Sequence, residues 1–390
     1  MKMATKQEII KKYLAAYLKG GKKEKSKILN LLEDVTGYER KALIRRFRTL
    51  RNADAGSRKR RGRRRMYGAD VTAALKDLWE YGYHICAERL QPMLPEYIRL
   101  LRQEHAWRHS ASATELLLGA SLATLKRRIA VFEKVGKRHG RGTTRPSELK
   151  EIIPIRRGPW ENPEPGYGEI DTVAHCGGSL LGSFCYSVQY TDVSTLWTCL
   201  AGQWNKGEVE TQRSIARIQG RLPFPLLGID PDSGSEFINW HVKGWCDTEN
   251  IVMTRTRPYM KNDHARIEQK NYANIRSFVG YGRLEDPMQV KILNELYDVL
   301  EDYLNFFIPS MKCLEKMKIR SRYMRKYDRP QTAYARVLAE DRISDAVKEK
   351  LRQKYATLSL VNLKKQLDRL IQKLQKSTEK NNLGYGNTFK

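Results

Sequence analysis

Apolar residues recur at helical spacing through the first third of the chain and at strand spacing through its middle. EIIKKYLAAYL, SKILNLLEDV and YERKALIRRF predict three helices between about residues 5 and 50, the last two joined by a turn at Thr36-Gly37. From Ala69 to about Glu133 the pattern is helical again. There Ser112-x-x-Glu115 predicts a capping box opening ATELLL, Gly119 a turn, and Ser121 the cap of LATLKRRIAVF. Both helix pairs have the spacing of a helix-turn-helix. Beyond a stretch rich in Gly, Pro and charge the period changes from helical to alternating. YGEIDTVAHC, FCYSVQYTDV and LWTCLAG predict three successive strands. EVETQRSIARIQGRL predicts a helix, LLGIDP a strand, EFINWHVKGWCDTEN a helix, IVMTRTRP a strand and HARIEQKNYANIRSFVG a helix, together a mixed α/β sheet. After Pro309, KMKIRSRYMRKYDRP predicts short strands or a loop. Leu360, Leu363, Leu367, Leu370, Ile371 and Leu374 then give a last helix near heptad spacing.

These patterns divide the chain into a helix-turn-helix domain (1–55), a basic linker (56–68), a second helical domain with a helix-turn-helix (69–135), a linker (136–160), an α/β core with a mixed sheet (161–308) and a small basic C-terminal region ending in a helix (309–390). The fold class is therefore multidomain, with the helices ahead of the sheet.

Charge adds a partner to this picture. The formal net charge is +28, distributed as +21 over residues 1–150, −6 over 151–310 and +13 over 311–390. Two basic flanks favour a polyanion, because each Lys or Arg that meets a phosphate releases condensed counterions, so 1–55 is expected to bind DNA and 309–390 to bind DNA or serve oligomerisation. Arg40, Lys41 and Arg45 fall on the solvent sides of the second helix of the first pair. Lys126, Arg127 and Arg128 fall near the start of the corresponding helix of the second pair. Arg58, Lys59, Arg60, Arg61, Arg63, Arg64 and Arg65 form a run suited to lying along phosphates. No run approaches the ~18 apolar residues of a membrane span, and the N-terminus lacks the apolar stretch of a signal peptide. The expectation is a soluble intracellular protein. Six scattered cysteines without a C-x-x-C pair exclude a disulfide framework and a Cys-rich zinc site, and read as reduced, mostly buried thiols.

The acidic centre calls for different chemistry. Asp171 falls mid-strand in GEIDTVAH, where Asp is disfavoured. Asp232 follows the strand LLGID, and Glu268 lies in the helix HARIEQKN. Carboxylates that converge can hold two divalent cations about 4 Å apart, which activate a nucleophile and stabilise the leaving oxygen of a phosphodiester. Asp230 competes with Asp232 as second ligand, and Glu236 reads as an orienting neighbour or a helix start. His175 reads as a packed histidine beside Cys176, and Asp192 as a strand-ending turn.

With EIDTVAHCGGSLLGSF, LLGIDPDSGSEFIN and RPYMKNDHARIEQKNYANIRSFVGYGRL, the chain resembles the DDE transposases and integrases. Thirty-five residues separate Asp232 from Glu268. The resemblance implies a ribonuclease-H-like catalytic core holding two Mg²⁺, replaceable by Mn²⁺, on Asp171, Asp232 and Glu268. It implies a DNA transposase of an insertion sequence that binds terminal inverted repeats, exposes 3′ ends by cleavage and transfers them into target DNA. It further implies a homo-oligomer, dimer or larger, on double-stranded DNA, in the bacterial cytoplasm and associated with the nucleoid. Asn271 resembles the family's substrate-positioning Asn. The family's basic residue seven positions after the Glu is here Ile275, which leaves Arg276 and Lys261 as candidates for holding the DNA end. Two rivals remain: a DNA-binding regulator with an inert core, and a ribonuclease-H-like nuclease that cuts without joining.

Overall fold

The computed structural model describes residues 3–54, 66–132, 153–154, 163–231, 236–255, 270–319 and 322–384. Two compact units result, Met1–Met66 and Tyr67–Lys390.

In the first unit α1 (Met3–Lys12), α2 (Leu14–Lys19), α3 (Lys22–Thr36) and α4 (Arg40–Asp54) enclose a small core of Ile10, Leu29, Leu32, Leu43 and Phe47. α3 ends as predicted. Gly37 takes a left-handed φ of 66° that only glycine adopts freely, and its N–H donates to Glu33 O at 2.8 Å.

The second unit opens with α5 (Ala69–Tyr81), α6 (Ala87–Leu90), α7 (Leu94–Gln103), α8 (Ala111–Leu118) and α9 (Leu122–Phe132). The cap of α8 differs from the predicted box. Ser110, not Ser112, accepts the Ala113 N–H at 3.1 Å, because the helix begins one residue before Ser112. Ser121 does cap α9, through the Thr124 N–H at 3.3 Å.

Five strands follow in the spatial order β3-β2-β1-β4-β5: β1 (Tyr167–Ala174), β2 (Cys185–Asp192), β3 (Thr198–Trp204), β4 (Gly228–Pro231) and β5 (Val252–Met253). β2 runs antiparallel to both β1 and β3, whereas β4 runs parallel to β1 and β5 parallel to β4. α10 (Glu208–Gln219) leads into β4 and α11 (Trp240–Thr248) into β5. β2 is buried along its whole length, as befits a strand with neighbours on both sides and layers on both faces.

α13 (Met288–Phe307) has no counterpart among the elements read from sequence; a π-helical turn at Asn271–Arg276 and the short α12 (Ser277–Val279) precede it. It closes the free edge of β3. Asn305 accepts the Thr198 N–H at 2.8 Å, Glu301 that of Leu200 at 2.7 Å and Asn294 that of Gly202 at 2.9 Å. Alternate strand amides that would otherwise template another chain are thereby consumed. A Cβ on Gly202 would lie 2.8 Å from that of Leu293, so close helix–sheet contact requires glycine there.

The hairpin β6 (Cys313–Ile319) and β7 (Arg322–Tyr327), then α14 (Ala333–Ala339), α15 (Asp345–Thr357) and α16 (Leu360–Gly384), complete the unit. The helices of 69–132 and the C-terminal helices share one hydrophobic core with the sheet. Tyr97 donates to Phe307 O at 2.8 Å, Tyr355 to Glu96 at 2.7 Å and Tyr83 to Asp368 at 3.1 Å. Glu104 caps the start of α16 by accepting from the Leu360 N–H at 3.0 Å. Boundaries drawn from sequence at 135 and 308 thus run through a single packed body. Among the described residues no helix is long and apolar enough to cross a membrane.

Candidate active site

Asp171 occupies the middle of β1, the central strand, opposite Gln189 of β2. Its Oδ2 accepts from Asn271 Nδ2 at 2.6 Å, and its Oδ1 from the Thr172 N–H at 2.7 Å. The first bond spans a hundred residues and ties the segment after Glu268 to the strand that bears Asp171. Asn271 Oδ1 is buried without a hydrogen-bond partner among the described residues. Gln189 is fully buried, and both its amide atoms are likewise unmatched. A buried polar atom without a partner costs ~1–3 kcal/mol, so these unmatched amide atoms are costly unless something else meets them.

The carboxylates beside Asp171 have separate duties. Asp230 is fully buried, pairs across the parallel strands with Glu169, and accepts from Thr254 Oγ1 at 2.7 Å. β4 ends at Pro231, in register with Ile170, and Asp232 is the next residue in the chain. Glu236, also buried, accepts from Thr172 Oγ1 at 2.9 Å ahead of α11, which Asn239 caps through the Val242 N–H at 2.8 Å. Asp232, Glu268 and Lys261 lie outside the described residues. Among the described residues no three His, Cys, Asp or Glu side chains gather to hold a metal ion.

Asn271–Arg276 forms a π-helical turn instead of the α-helix assumed from sequence, and such turns concentrate at functional sites. Arg276 spends its guanidinium on the protein, donating to Ala174 O at 2.7 Å and Gly280 O at 3.3 Å, and it lies over the Tyr281 ring. Lys270, unremarked in the sequence reading, donates to Leu196 O at 3.3 Å. Burial and the nearby Arg89 and Arg336 pull its ammonium down to about 7, against the opposing pull of Glu169 and Asp192. Trp240 and Tyr272 are exposed large aromatics in the same segments as Glu236 and Asn271. No sequence pattern marked them, whereas Gln189 had a signal, a polar residue inside an otherwise buried strand.

His175 is packed as expected. It is fully buried, with Nε2 at 2.6 Å from Ser187 Oγ, and burial followed by the charge of Arg276 holds its pKa down at about 3. Asp192 closes the β2–β3 turn, accepting from Thr195 N–H and Oγ1, each at 2.6 Å, and from Gly166 N–H at 2.8 Å. All six cysteines are free thiols, four of them buried.

The basic helices divide by availability. On α4, Lys41 and Arg45 are exposed, whereas Arg40 bonds Ser26 Oγ at 2.5 Å and Asn30 Oδ1. On α9, Lys126 forms an ion pair with Glu88 at 2.5 Å, and Arg128 is held by Tyr67 O at 2.8 Å and by Thr72. Arg127 is exposed, its Nε bonded only to Ala123 O of its own helix. Arg58, Lys59, Arg60, Arg61, Arg63, Arg64 and Arg65 lie outside the described residues.

No family model matches the chain. It is 36% identical over 338 residues, 86% of its length and 95% of the relative's, to the uncharacterized protein y4rM of Sinorhizobium fredii (strain NBRC 101917 / NGR234).

Proposed function

We propose that this chain, which belongs to the same family as the y4rM protein of Sinorhizobium fredii, is a DNA transposase of an insertion sequence with a ribonuclease-H-like catalytic core. The Asn271–Asp171 bond carries the reading. It joins the segment just past Glu268 to Asp171, while β4, which leads to Asp232, pairs with the strand that bears Asp171. Pro231, next to Asp232 in the chain, and Asn271, three residues past Glu268, thus both meet the strand that bears Asp171, which supports convergence of the three carboxylates. The strand order β3-β2-β1-β4-β5, with three antiparallel strands and two parallel additions, supports the ribonuclease-H-like assignment.

Oxygen donors suit Mg²⁺ or Mn²⁺. The unmatched Asn271 Oδ1 beside the Asp171 carboxylate is such a donor left for something beyond the described residues, so the set fits a hard divalent cation. Asp171, Asp232 and Glu268 would hold two such ions, which supply an activated oxygen nucleophile and charge neutralisation at the scissile phosphate. Asn271 orients the Asp171 carboxylate through its 2.6 Å bond. Exposed cations of α4 and α9 draw in the terminal repeats and neutralise phosphates. The products would be a free 3′-OH on the element end and then a phosphodiester joining that end to target DNA. Two ends require at least two protomers on double-stranded DNA.

The test is strand transfer with purified protein, labelled duplexes bearing the inverted repeats that flank its source locus, a supercoiled target and Mg²⁺ or Mn²⁺ against EDTA. Metal-dependent joined product, absent with Glu268→Gln, is the expected result. Repeat binding without cleavage or joining in either metal would replace this reading by a DNA-binding regulator, and cleavage without joining by a nuclease.

A further inference from the structure

β6 and β7 form a two-stranded antiparallel ribbon in which Met317 stands opposite Met324 and Lys316 opposite Arg325. Two strands alone bury too little apolar surface to be stable in water, and need a layer or a partner. This ribbon has no covering layer among the described residues. Leu314, Met317, Met324 and Tyr327 are all exposed large hydrophobics. Met324, Arg325, Lys326 and Tyr327 are exposed in succession, and successive side chains point to opposite faces, so both faces of β7 are open.

The root, by contrast, is tightly held. Asp328 accepts from the Lys312 N–H at 2.6 Å and from the buried Arg336 guanidinium at 2.5 Å, while Arg336 also donates to Ser310 O at 3.0 Å. Ser310 pairs with Gln331 across the base. Lys312 Nζ reaches Ser194 O at 3.4 Å, on the β2–β3 turn whose Leu196 carbonyl also takes Lys270, the residue before Asn271. The base of the ribbon is thus hydrogen-bonded within itself and to the turn that also receives Lys270.

Its charge selects the occupant. Between Cys313 and Tyr327 stand six Lys or Arg against one Glu. Like charge of this density opposes pairing with a second copy of the same segment, and the exposed Arg325 and Lys326 along the open strand oppose edge-to-edge pairing. A phosphate backbone is attracted, and the major groove of B-DNA, about 12 Å wide, admits a two-stranded ribbon. We propose that the β6–β7 ribbon enters the major groove of duplex DNA. Arg325 and Lys326 neutralise phosphates there, and Met317 with Met324, which share a face, lies against base edges and thymine methyls. This inference rests on the DNA-binding part of the transposase reading.

The experiment is a salt titration of full-length protein on an element-end duplex by fluorescence anisotropy, comparing wild type with R325A/K326A and M317S/M324S. Strand joining, sedimentation and melting temperature are followed on the same samples. The expected result for R325A/K326A is affinity at least about tenfold weaker, with a salt dependence shallower by about two logarithmic units per decade. M317S/M324S should keep the wild-type slope and lose discrimination between sequences on the order of tenfold. Guanine N7 methylation, a major-groove lesion, should interfere with the variants at fewer guanines than with wild type, the lost positions being those the ribbon contacts. Wild-type binding matched by both variants in affinity, slope and discrimination overturns the ribbon proposal and leaves the DNA reading intact. A change of oligomeric state with DNA affinity unchanged overturns it in favour of a second copy. Absence of any duplex binding by wild type overturns both, and ribbon-dependent binding without joining removes only the transposase reading.

Discussion

Two helix pairs in this chain carry nearly the same local signature and live in different surroundings. α3 and α4 belong to a unit with its own small core, whereas α8 and α9 are built into the body that holds the sheet. The difference reaches the basic side chains. On α4, Lys41 and Arg45 face solvent, but on α9 two of three cations are committed to Glu88, Thr72 and Tyr67 O. A short-range motif thus specifies a pair of helices, and tertiary packing decides which of its charges remain for a partner.

The largest test of that division separates chemistry from binding. Asp171→Asn should cut joined product by at least about a thousandfold, the scale on which essential groups fail. Duplex affinity, read by anisotropy, should stay within about twofold because the contacting cations are elsewhere. Equal losses of joining and binding would erase the distinction between a binding unit and a reacting one.

Leu32 is fully buried in the small core, so Leu32→Ala should cost ~2–5 kcal/mol there. Calorimetry should then show the transition of the small unit moving down while that of the larger one stays in place. Movement of both together would make the two units one.

The buried His175 gives the larger unit a pH dependence of its own. Its folded pKa of about 3 lies below the ordinary value of 6.5, so the unfolded chain binds the extra proton between those values. Stability contributed by the neutral imidazole is therefore full above 6.5 and is lost as pH falls towards 3, amounting to about 2 kcal/mol at pH 5. Urea midpoints at about pH 7.5 and 5 should diverge in wild type and converge in His175→Gln, with the transition of the small unit unaffected. An unchanged divergence in the variant would assign the acid sensitivity elsewhere.

The smallest effects compare the two helix pairs directly. Lys41→Ala with Arg45→Ala should weaken duplex binding about tenfold and flatten its salt dependence by nearly two units. Lys126→Ala, whose ammonium already has Glu88, should change affinity by about twofold. Equal losses would mean that α9 releases its cation to DNA and that the two pairs work alike.

Much of the architecture could be read before any coordinates because it is set by near neighbours in the chain. Helical and alternating periodicities located the helix pairs and β1 to β5, Thr36-Gly37 marked a turn, and Asp192 its strand-ending turn. Asp171 stood out because an acid in mid-strand needs a reason. Other features depend on groups brought together over long distances. α13 went unread although Asn294, Glu301 and Asn305 carry its purpose, since only strand register brings them to the amides of β3. The choice of Ser110 over Ser112 turned on where α8 starts, and the two backbone carbonyls that Arg276 meets come to it only through the fold.

The sequence by itself determined most of the segments that become helices and strands, though not α13, and which carboxylates are chemically conspicuous, because backbone preference and side-chain periodicity act within a few residues. Only the tertiary structure decided that Asn271 meets Asp171, that residues 69–132 merge with the sheet, and that the β6–β7 ribbon stands clear of the body. Those outcomes come from competition for buried surface and hydrogen-bond partners between residues a hundred or more positions apart, and no local pattern encodes who wins.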